Sequence, residues 1–208
     1  MTHLRHHLAR NSAWQKAQQT QSEMKRNAVL QEAANLFNIK GYHATSLADV
    51  AKRLNITKTA LYYYVKNKND LLYQCYLLSL EEIEEARDKA TNTGKSGLEK
   101  ICQYVAHDSF TSHEPAALLN EIDAIEDKTK KRELHKRLDQ AQQAITNWVK
   151  EGISDGSITD CDPDLTGRYI MGAFNWIPRW IAGSHHNMKE ITENFVELTR
   201  KTLAPGNS

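Results

Sequence analysis

The sequence predicts an all-α fold: a three-helix helix-turn-helix unit near the N-terminus, followed by a larger helical body. Three observations lead there. Between residues 41 and 71, two short segments with apolar stripes meet at a tight corner. Beyond them, apolar residues recur every three or four positions, and nothing alternates at the two-residue period of a strand. Charge is also divided: residues 1–70 hold 11 Lys/Arg against 4 Asp/Glu, whereas the remainder holds 16 against 22. A basic first third on an acidic body is the electrostatic footprint of a module that meets phosphate at one end.

Residues 1–22 are polar and Gln-rich and read as a flexible basic arm, in which Arg5, Arg10 and Lys16 would add non-specific affinity for DNA. His3, His6 and His7 have no carboxylate or cysteine nearby to complete a metal site, so no metal is expected. A first helix is expected over 22–40, with Ser22 as its cap, Val29, Ala33, Leu36 and Phe37 as its stripe, and Gly41 as its end. Thr45 and Ser46 are N-cap residues for a second helix, with Asp49 in its first turn and Leu47, Val50, Ala51 and Leu54 on one face. Asn55 tolerates a left-handed corner, Ile56 plugs the gap, and Thr57 caps a third helix. That helix is read with Ala60 and Leu61 inward and Lys58, Thr59, Tyr62 and Tyr63 outward. Basic, hydroxyl and aromatic groups on one short exposed helix after a sharp corner describe a helix-turn-helix whose recognition helix comes second.

Asn67 caps a fourth helix, 68–91, lined by Leu71, Leu72, Cys75, Tyr76, Leu78 and Ile83. It touches the head at its start and the body further on, so coupling between the two is expected to run through it. Residues 91–97 form a turn-rich break; their Gly94-Lys95-Ser96 lacks the upstream glycine and the preceding strand of a phosphate loop. Helices follow over 98–110, 115–125, 128–151, 163–181 and 188–203. The organisation expected is therefore an arm at 1–22, a head at 23–70 and a body at 71–208. At 208 residues and 40% hydrophobic content, the chain can bury one sizeable core or two modest ones. No apolar run has the length of a membrane span, no secretory h-region is visible, and Cys75, Cys102 and Cys161 are isolated. These features suit the cytoplasm.

The stretch 41–71 resembles the DNA-binding region of the TetR family of bacterial transcriptional regulators. Gly41, Thr45, Ser46, Asp49, Val50, Ala51, Ile56, Thr57, Lys58, Leu61, Tyr62, Tyr64, Val65, Lys68 and Leu71 carry the resemblance, filling that family's pattern nearly slot for slot. It implies a repressor that binds double-stranded DNA as a homodimer, without a cofactor. The residues it marks for DNA are Thr45, Ser46, Thr57, Lys58, Thr59, Tyr62, Tyr63 and Lys68. Among them Thr45, Tyr63 and Lys68 are expected at phosphate. Lys58, Thr59 and Tyr62 are expected in the major groove, with Thr59 placed for a base or thymine-methyl contact. Thr59 and Ala60 are short, so DNA shape is expected to carry much of the specificity.

Residues 165–181 offer two apolar rows: Leu165, Tyr169, Gly172, Trp176 and Trp180 on one side, Ile170, Phe174, Ile177 and Ile181 on another. A helix apolar on two sides is central in a core or shared between a core and a partner surface. The last helix adds Ile191, Phe195 and Leu198, and two such helices from each of two chains would make a four-helix interface. Dimerisation through the last helices is also what the family resemblance implies. Pro178 removes an N–H and kinks this stretch, placing Asn175 and Arg179 beside Trp176 and Trp180. That arrangement is either a packed kink or one wall of a ligand cavity, with Tyr104, His107, Phe110 and Trp148 as facing walls. The run Asn-Trp-Ile-Pro-Arg-Trp is similar to one in TetR-family regulators that sense acyl-CoA thioesters, so the effector expected is small and hydrophobic or acyl-CoA-like. The alternative function is a DNA-bound adaptor that recruits a protein through acidic residues 81–85 or 121–127, with no small ligand. An enzyme is not expected: Cys102 and His107, five apart, are poorly aligned by a helix, and no nucleophile, base and acid fall at workable spacing.

Overall fold

The computed structural model describes residues 2–107, 121–181 and 184–206, with side chains described from residue 21 onward except those of 178 and 179. Among the described residues every regular element is helical. In chain order they are α1 (Thr2–Lys40), α2 (Leu47–Arg53), α3 (Lys58–Leu61), α4 (Lys68–Thr93) and α5 (Gly97–Val105). After a 3-10 turn at Ile122–Ala124 come α6 (Lys128–Asp155), α7 (Pro163–Asn175), α8 (Ile177–Trp180) and α9 (Met188–Leu203). Most starts carry a side-chain cap of the expected chemistry. Thr57 accepts from Ala60 N, Asn67 from Asp70 N, Ser96 from Glu99 N, and Asp162 from the amides of Asp164 and Leu165, with Pro163 in the first turn. Ser46 with Asp49, and Asn187 with Glu190, each close a reciprocal capping box. Gly41 ends α1 at φ 85°, and Asn55 takes the corner between α2 and α3 at φ 54°.

Several boundaries differ from the sequence reading. Helix α1 is continuous from Thr2, where an arm was expected before a start near 22. Residues 1–22 contain neither Gly nor Pro and are rich in Ala, Gln, Leu and Arg, so nothing local interrupts a helix there. The expected 115–125 helix lies partly outside the described residues, and its described end is the 3-10 turn at Ile122–Ala124. The helix expected over 163–181 is two: Trp176 separates α7 from α8, because Pro178 has no N–H to give the Phe174 carbonyl.

Two principal cores form. The first gathers Leu30, Ala33, Phe37, Val50, Leu61 and Val65 with Leu71, Leu72, Tyr76 and Leu80 of α4, and also takes in Ile122, Ile125 and Leu134. The second joins Ile83, Ala86 and Ala90 of α4 to Ile101 and Tyr104 of α5, Ile145, Trp148 and Val149 of α6, and Ile170 and Met171 of α7. A smaller cluster, Ile177, Ile181, Met188 and Ile191, closes the end of the body beneath an edge-to-face pair, Phe174 and Phe195, 5.4 Å apart. Helix α4 belongs to both principal cores, so the first packing unit runs some ten residues past position 70. Arg137 Nε and Nη2 each donate to a Glu84 carboxylate oxygen at 2.8 Å, and Tyr73 donates to Glu133 at 3.2 Å; these bonds tie α4 to α6. No helix among the described residues is long and apolar enough to cross a membrane.

A close joint lies between α5 and α6. Gly97 N donates to Asp155 Oδ2 at 2.9 Å and Leu98 N to Ser157 Oγ at 3.2 Å, so the start of α5 is bonded to the end of α6. A Cβ on Gly97 would lie 2.2 Å from the Trp148 carbonyl oxygen and 2.2 Å from Gly152 N, backbone atoms that cannot retreat. Gly97→Ala is therefore expected to cost about 2–3 kcal/mol and to lower the melting temperature by roughly 5–10 °C in calorimetry. An unchanged melting temperature would contradict this packing. Burial, and then Glu81 and Glu85, push the Glu82 carboxyl on α4 up to about 7 from an ordinary 4.5. Charging it costs stability that is fully felt above the folded value and relieved as pH falls toward the unfolded one. Stability is thus expected to rise from about pH 8 to about pH 5. Denaturant titrations should find that component missing in Glu82→Gln.

Candidate functional site

The head presents its side chains on a scaffold that leaves them little alternative. Leu61 and Val65 are fully buried and pin α3 and the turn after it to the first core. Thr57 Oγ1 accepts from Ala60 N at 3.1 Å. With the inward positions occupied, Lys58, Thr59, Tyr62 and Tyr63 face outward, Tyr63 at 80% exposure. The Lys58 ammonium lies 5.8 Å from the centre of the Tyr62 ring, and Tyr63 stands edge-on to Tyr64 at 5.2 Å. Ser46 is exposed at the start of α2, and its hydroxyl donates to Asp49 Oδ2 at 2.6 Å. That bond, with the Ser46 backbone N–H, holds the Asp49 carboxyl below its ordinary value.

Two expectations for the head are corrected. Thr45 is 2% exposed, and its hydroxyl donates to the Gly41 carbonyl at 2.9 Å. Its side chain braces the turn after α1 and has no free donor for a phosphate. Ala60, expected inside, is exposed, because α3 is a single turn and only Leu61 of it reaches the core.

Lys68 opens α4. Its ammonium lies 4.2 Å above the Tyr42 ring and donates to the His43 carbonyl at 3.4 Å. Burial lowers the lysine's pKa, and Glu121 opposes that shift. Around it, Tyr42 N donates to Glu121 Oε1 at 3.2 Å, and Asn69 Nδ2 donates to the Ala124 carbonyl at 2.6 Å. Sequence reasoning gives Tyr42 and Asn69 no role and takes Glu121 only as part of the acidic 121–127 surface. The contact joins residues 79 apart, and no motif signals it. It also means that α4 is not the only bridge between head and body: the segment after residue 120 is a second one.

In the body, the expected ligand residues separate into two groups. Tyr104, His107 and Trp148 are buried together with the second core or at its edge. Tyr104 and Trp148 meet at 5.8 Å between ring centres, and the Tyr104 hydroxyl reaches Met171 Sδ at 3.8 Å. Burial pushes the Tyr104 phenol far up, so it stays neutral. Asn175 is half-buried, whereas Trp176 and Trp180 point outward. Phe110 and the Arg179 side chain lie outside the described residues. The outward tryptophans correct the expectation that they wall an interior cavity. Of the two apolar rows, Ile170, Phe174, Ile177 and Ile181 turn inward. The other row stays out, with Leu165 at 66%, Tyr169 at 66%, Trp176 at 53% and Trp180 at 37% exposure. Leu198 of α9 continues this surface, and Tyr169, Ala173, Phe195, Leu198 and Thr202 line a groove of about 110 Å³ between α7 and α9.

Comparison with known proteins agrees with this architecture. A family profile described as "Bacterial regulatory proteins, tetR family" matches residues 29–75, and one described as "Tetracyclin repressor-like, C-terminal domain" matches residues 93–203. The chain is 26% identical over 167 residues to the HTH-type transcriptional repressor KstR2 of Mycolicibacterium smegmatis, covering 77% of this chain and 81% of that one. The crystal structure of PfmR, a TetR family transcriptional regulator from Thermus thermophilus, is similar at TM-score 0.69 and 27% identity, over 85% of this chain and 99% of that one. A structure of AibR in complex with isovaleryl coenzyme A and operator DNA shares the fold at TM-score 0.66 and 20% identity, over 83% of this chain and 96% of that one. Its two halves, a helix-turn-helix head and a helical C-terminal body, place this chain in the TetR family of bacterial transcriptional regulators, which are DNA-binding proteins and not enzymes.

Proposed function

We propose that this regulator is a cytoplasmic repressor that binds a near-palindromic operator as a homodimer. On this reading a small hydrophobic or acyl-CoA-like effector releases the DNA on entering the body. The observation that carries the reading is the outward set on the head: Lys58, Thr59, Tyr62 and Tyr63 on and just after one short buttressed turn, with the Lys68 cation held over Tyr42 at the start of α4. Thr59 reads a base edge or thymine methyl, Lys58 and Tyr62 lie along the groove, and Tyr63 and Lys68 meet phosphate, with Ser46 and Thr57 flanking. One such turn reads only a few base pairs, so two heads on two half-sites are needed for useful affinity.

The exposed row Leu165, Tyr169, Trp176 and Trp180, with Leu198, supports the dimer. An apolar surface this continuous calls for a partner, and a second copy offers the same surface by two-fold symmetry. The effector reading draws on the buried Tyr104–Trp148 pair with His107 beside it, an apolar interior with a few polar groups, and on the coenzyme A thioester bound by AibR. Functionally, the head is residues 23–70 and the body 71–208.

Duplexes selected by the protein from a random library should contain a two-fold repeat. Against the selected duplex, Lys68→Ala is expected to weaken binding and to take about one unit off the slope of log affinity against log salt. Thr59→Ala should reduce discrimination between sequences by roughly 1–3 kcal/mol and leave that slope in place. A Lys68→Ala protein with wild-type affinity and slope would remove the phosphate assignment. In sedimentation equilibrium, Trp176→Glu and Tyr169→Glu should shift the protein from dimer toward monomer; variants that stay dimeric would move the interface elsewhere. Isovaleryl-CoA and a panel of longer acyl-CoAs should raise the melting temperature and displace the duplex. Silence across the panel would favour the adaptor with a protein partner.

A further inference from the structure

We propose that Glu121, carried by the segment that returns from the body to the head, is a positioning residue for DNA binding. It fixes Tyr42, and through the face of the Tyr42 ring it fixes the Lys68 ammonium at the start of α4. The inference rests on the reading of Lys68 as a phosphate contact.

The geometry is a chain of three contacts. Glu121 Oε1 accepts the Tyr42 backbone N–H at 3.2 Å, holding the turn that follows α1. The Tyr42 ring, buried and edge-on to Phe37 at 5.3 Å, carries the Lys68 ammonium on its face at 4.2 Å. A cation over a ring face is held only while the ring keeps its orientation, and the ring's orientation follows its backbone. Lysine has four rotatable bonds, so each restraint that is already in place reduces what DNA binding must order.

Glu121 is itself held. Its N–H donates to the Tyr76 hydroxyl at 3.2 Å, and the next residue, Ile122, is buried in the first core with Ile125. Asn69, one residue beyond Lys68, closes the ring of contacts. Its Nδ2 donates to the Ala124 carbonyl at 2.6 Å, and its Oδ1 accepts from Glu126 N at 3.3 Å. Residues 121–126 therefore touch both chain segments that define Lys68: the turn at 41–43 and the first turn of α4. A body residue displaced here would change where the cation sits without any change in the recognition turn itself. The Glu121 carboxylate also lies where it opposes the lowering of the Lys68 pKa by burial.

Positioning through Lys68 and a general contribution to folding predict different double-mutant behaviour. Affinity for the selected duplex would be measured by fluorescence anisotropy for the full-length wild type, Glu121→Ala, Glu121→Gln, Lys68→Ala and Lys68→Ala/Glu121→Ala. Circular dichroism would check that each protein is folded. Glu121→Ala is expected to weaken binding roughly five- to tenfold, the scale of a lost hydrogen bond to a charged group. Its salt slope should fall as that of Lys68→Ala does. In the Lys68→Ala background the same change should have almost no effect. Glu121→Gln keeps an oxygen acceptor for Tyr42 N–H and should bind within about twofold of wild type or tighter, since a negative charge near phosphate is gone.

An equal loss from Glu121→Ala in both backgrounds would overturn the proposal, and so would no loss in the wild-type background or a Gln variant as weak as Ala. If Glu121→Ala fails to fold, Glu121→Met, which keeps the length of the side chain and removes the acceptor, takes its place in both backgrounds with the same expected outcomes. If Lys68→Ala alone changes nothing, the phosphate reading fails first, and the positioning role falls with it.

Discussion

Helix α4 is the member on which both halves of the molecule depend. Its 26 residues, at about 1.5 Å each, make one rod that is packed at both ends. Leu71, Leu72, Cys75, Tyr76 and Leu80 are buried in the head core, and Ile83, Ala86 and Ala90 in the body core. A helix buried along its length in two cores does not act as a loose linker. Any tilt at its body end moves Lys68 at its other end, because close-packed interiors transmit displacement rather than absorb it. The two-bond Glu84–Arg137 pair and the Tyr73–Glu133 bond fasten the same rod to α6, so α4 and α6 are expected to shift together. Head and body are thus joined by α4, by the start of α6, and by the short segment at 121–126.

The recognition turn follows from this buttressing. Four residues are far too few to form a helix in isolation, where the first turn costs more than its single hydrogen bond returns. Here α3 exists because Leu61 and Val65 are anchored in the core, because Thr57 caps its start, and because Asn55 accepts the left-handed corner that aims it. The exposure of Lys58, Thr59, Tyr62 and Tyr63 is the complement of that anchoring. A turn held by its neighbours presents a nearly fixed constellation of donors, which lowers the ordering cost of meeting DNA.

What was legible in the sequence was local. The N-caps read at Ser46, Thr57 and Asn67 depend on residues three positions away and are in place, whereas the cap read at Ser22 falls inside the continuous α1. The corner at Asn55 and the stop at Gly41 are likewise properties of one residue's backbone freedom. Periodicity found the two apolar rows of α7 and α8. It could not say which row faces the core, since both have helical spacing and comparable hydrophobicity; that choice rests on the helices around them. Thr45 was misassigned for a related reason, its hydroxyl being taken up by a carbonyl four residues back that only the folded turn brings close. The Glu121–Tyr42 bond was invisible because nothing in either segment alone calls for the other.

The stretch from Pro163 to Trp180 carries two apolar rows across α7 and α8, and the two rows have different neighbours. The inner row, with Ile170, Met171 and Phe174, touches the aromatic interior through the Tyr104–Met171 contact and the Phe174–Phe195 pair. The outer row, with Tyr169 and Trp176, forms the surface proposed for the second copy. A guest molecule lodged against Tyr104 and Trp148 would press on Met171 and Ile170, and the same helix would carry that pressure to its outer side one residue away. The break at Trp176 matters here, because a continuous helix would pass the strain along its axis, whereas a hinge lets α7 and α8 reorient separately. Effector entry and the angle between two protomers would then be linked through a single helix wall, with no separate relay required. Head spacing in the dimer, and with it operator fit, would respond to what occupies the body because one face of α7 cannot move without the other.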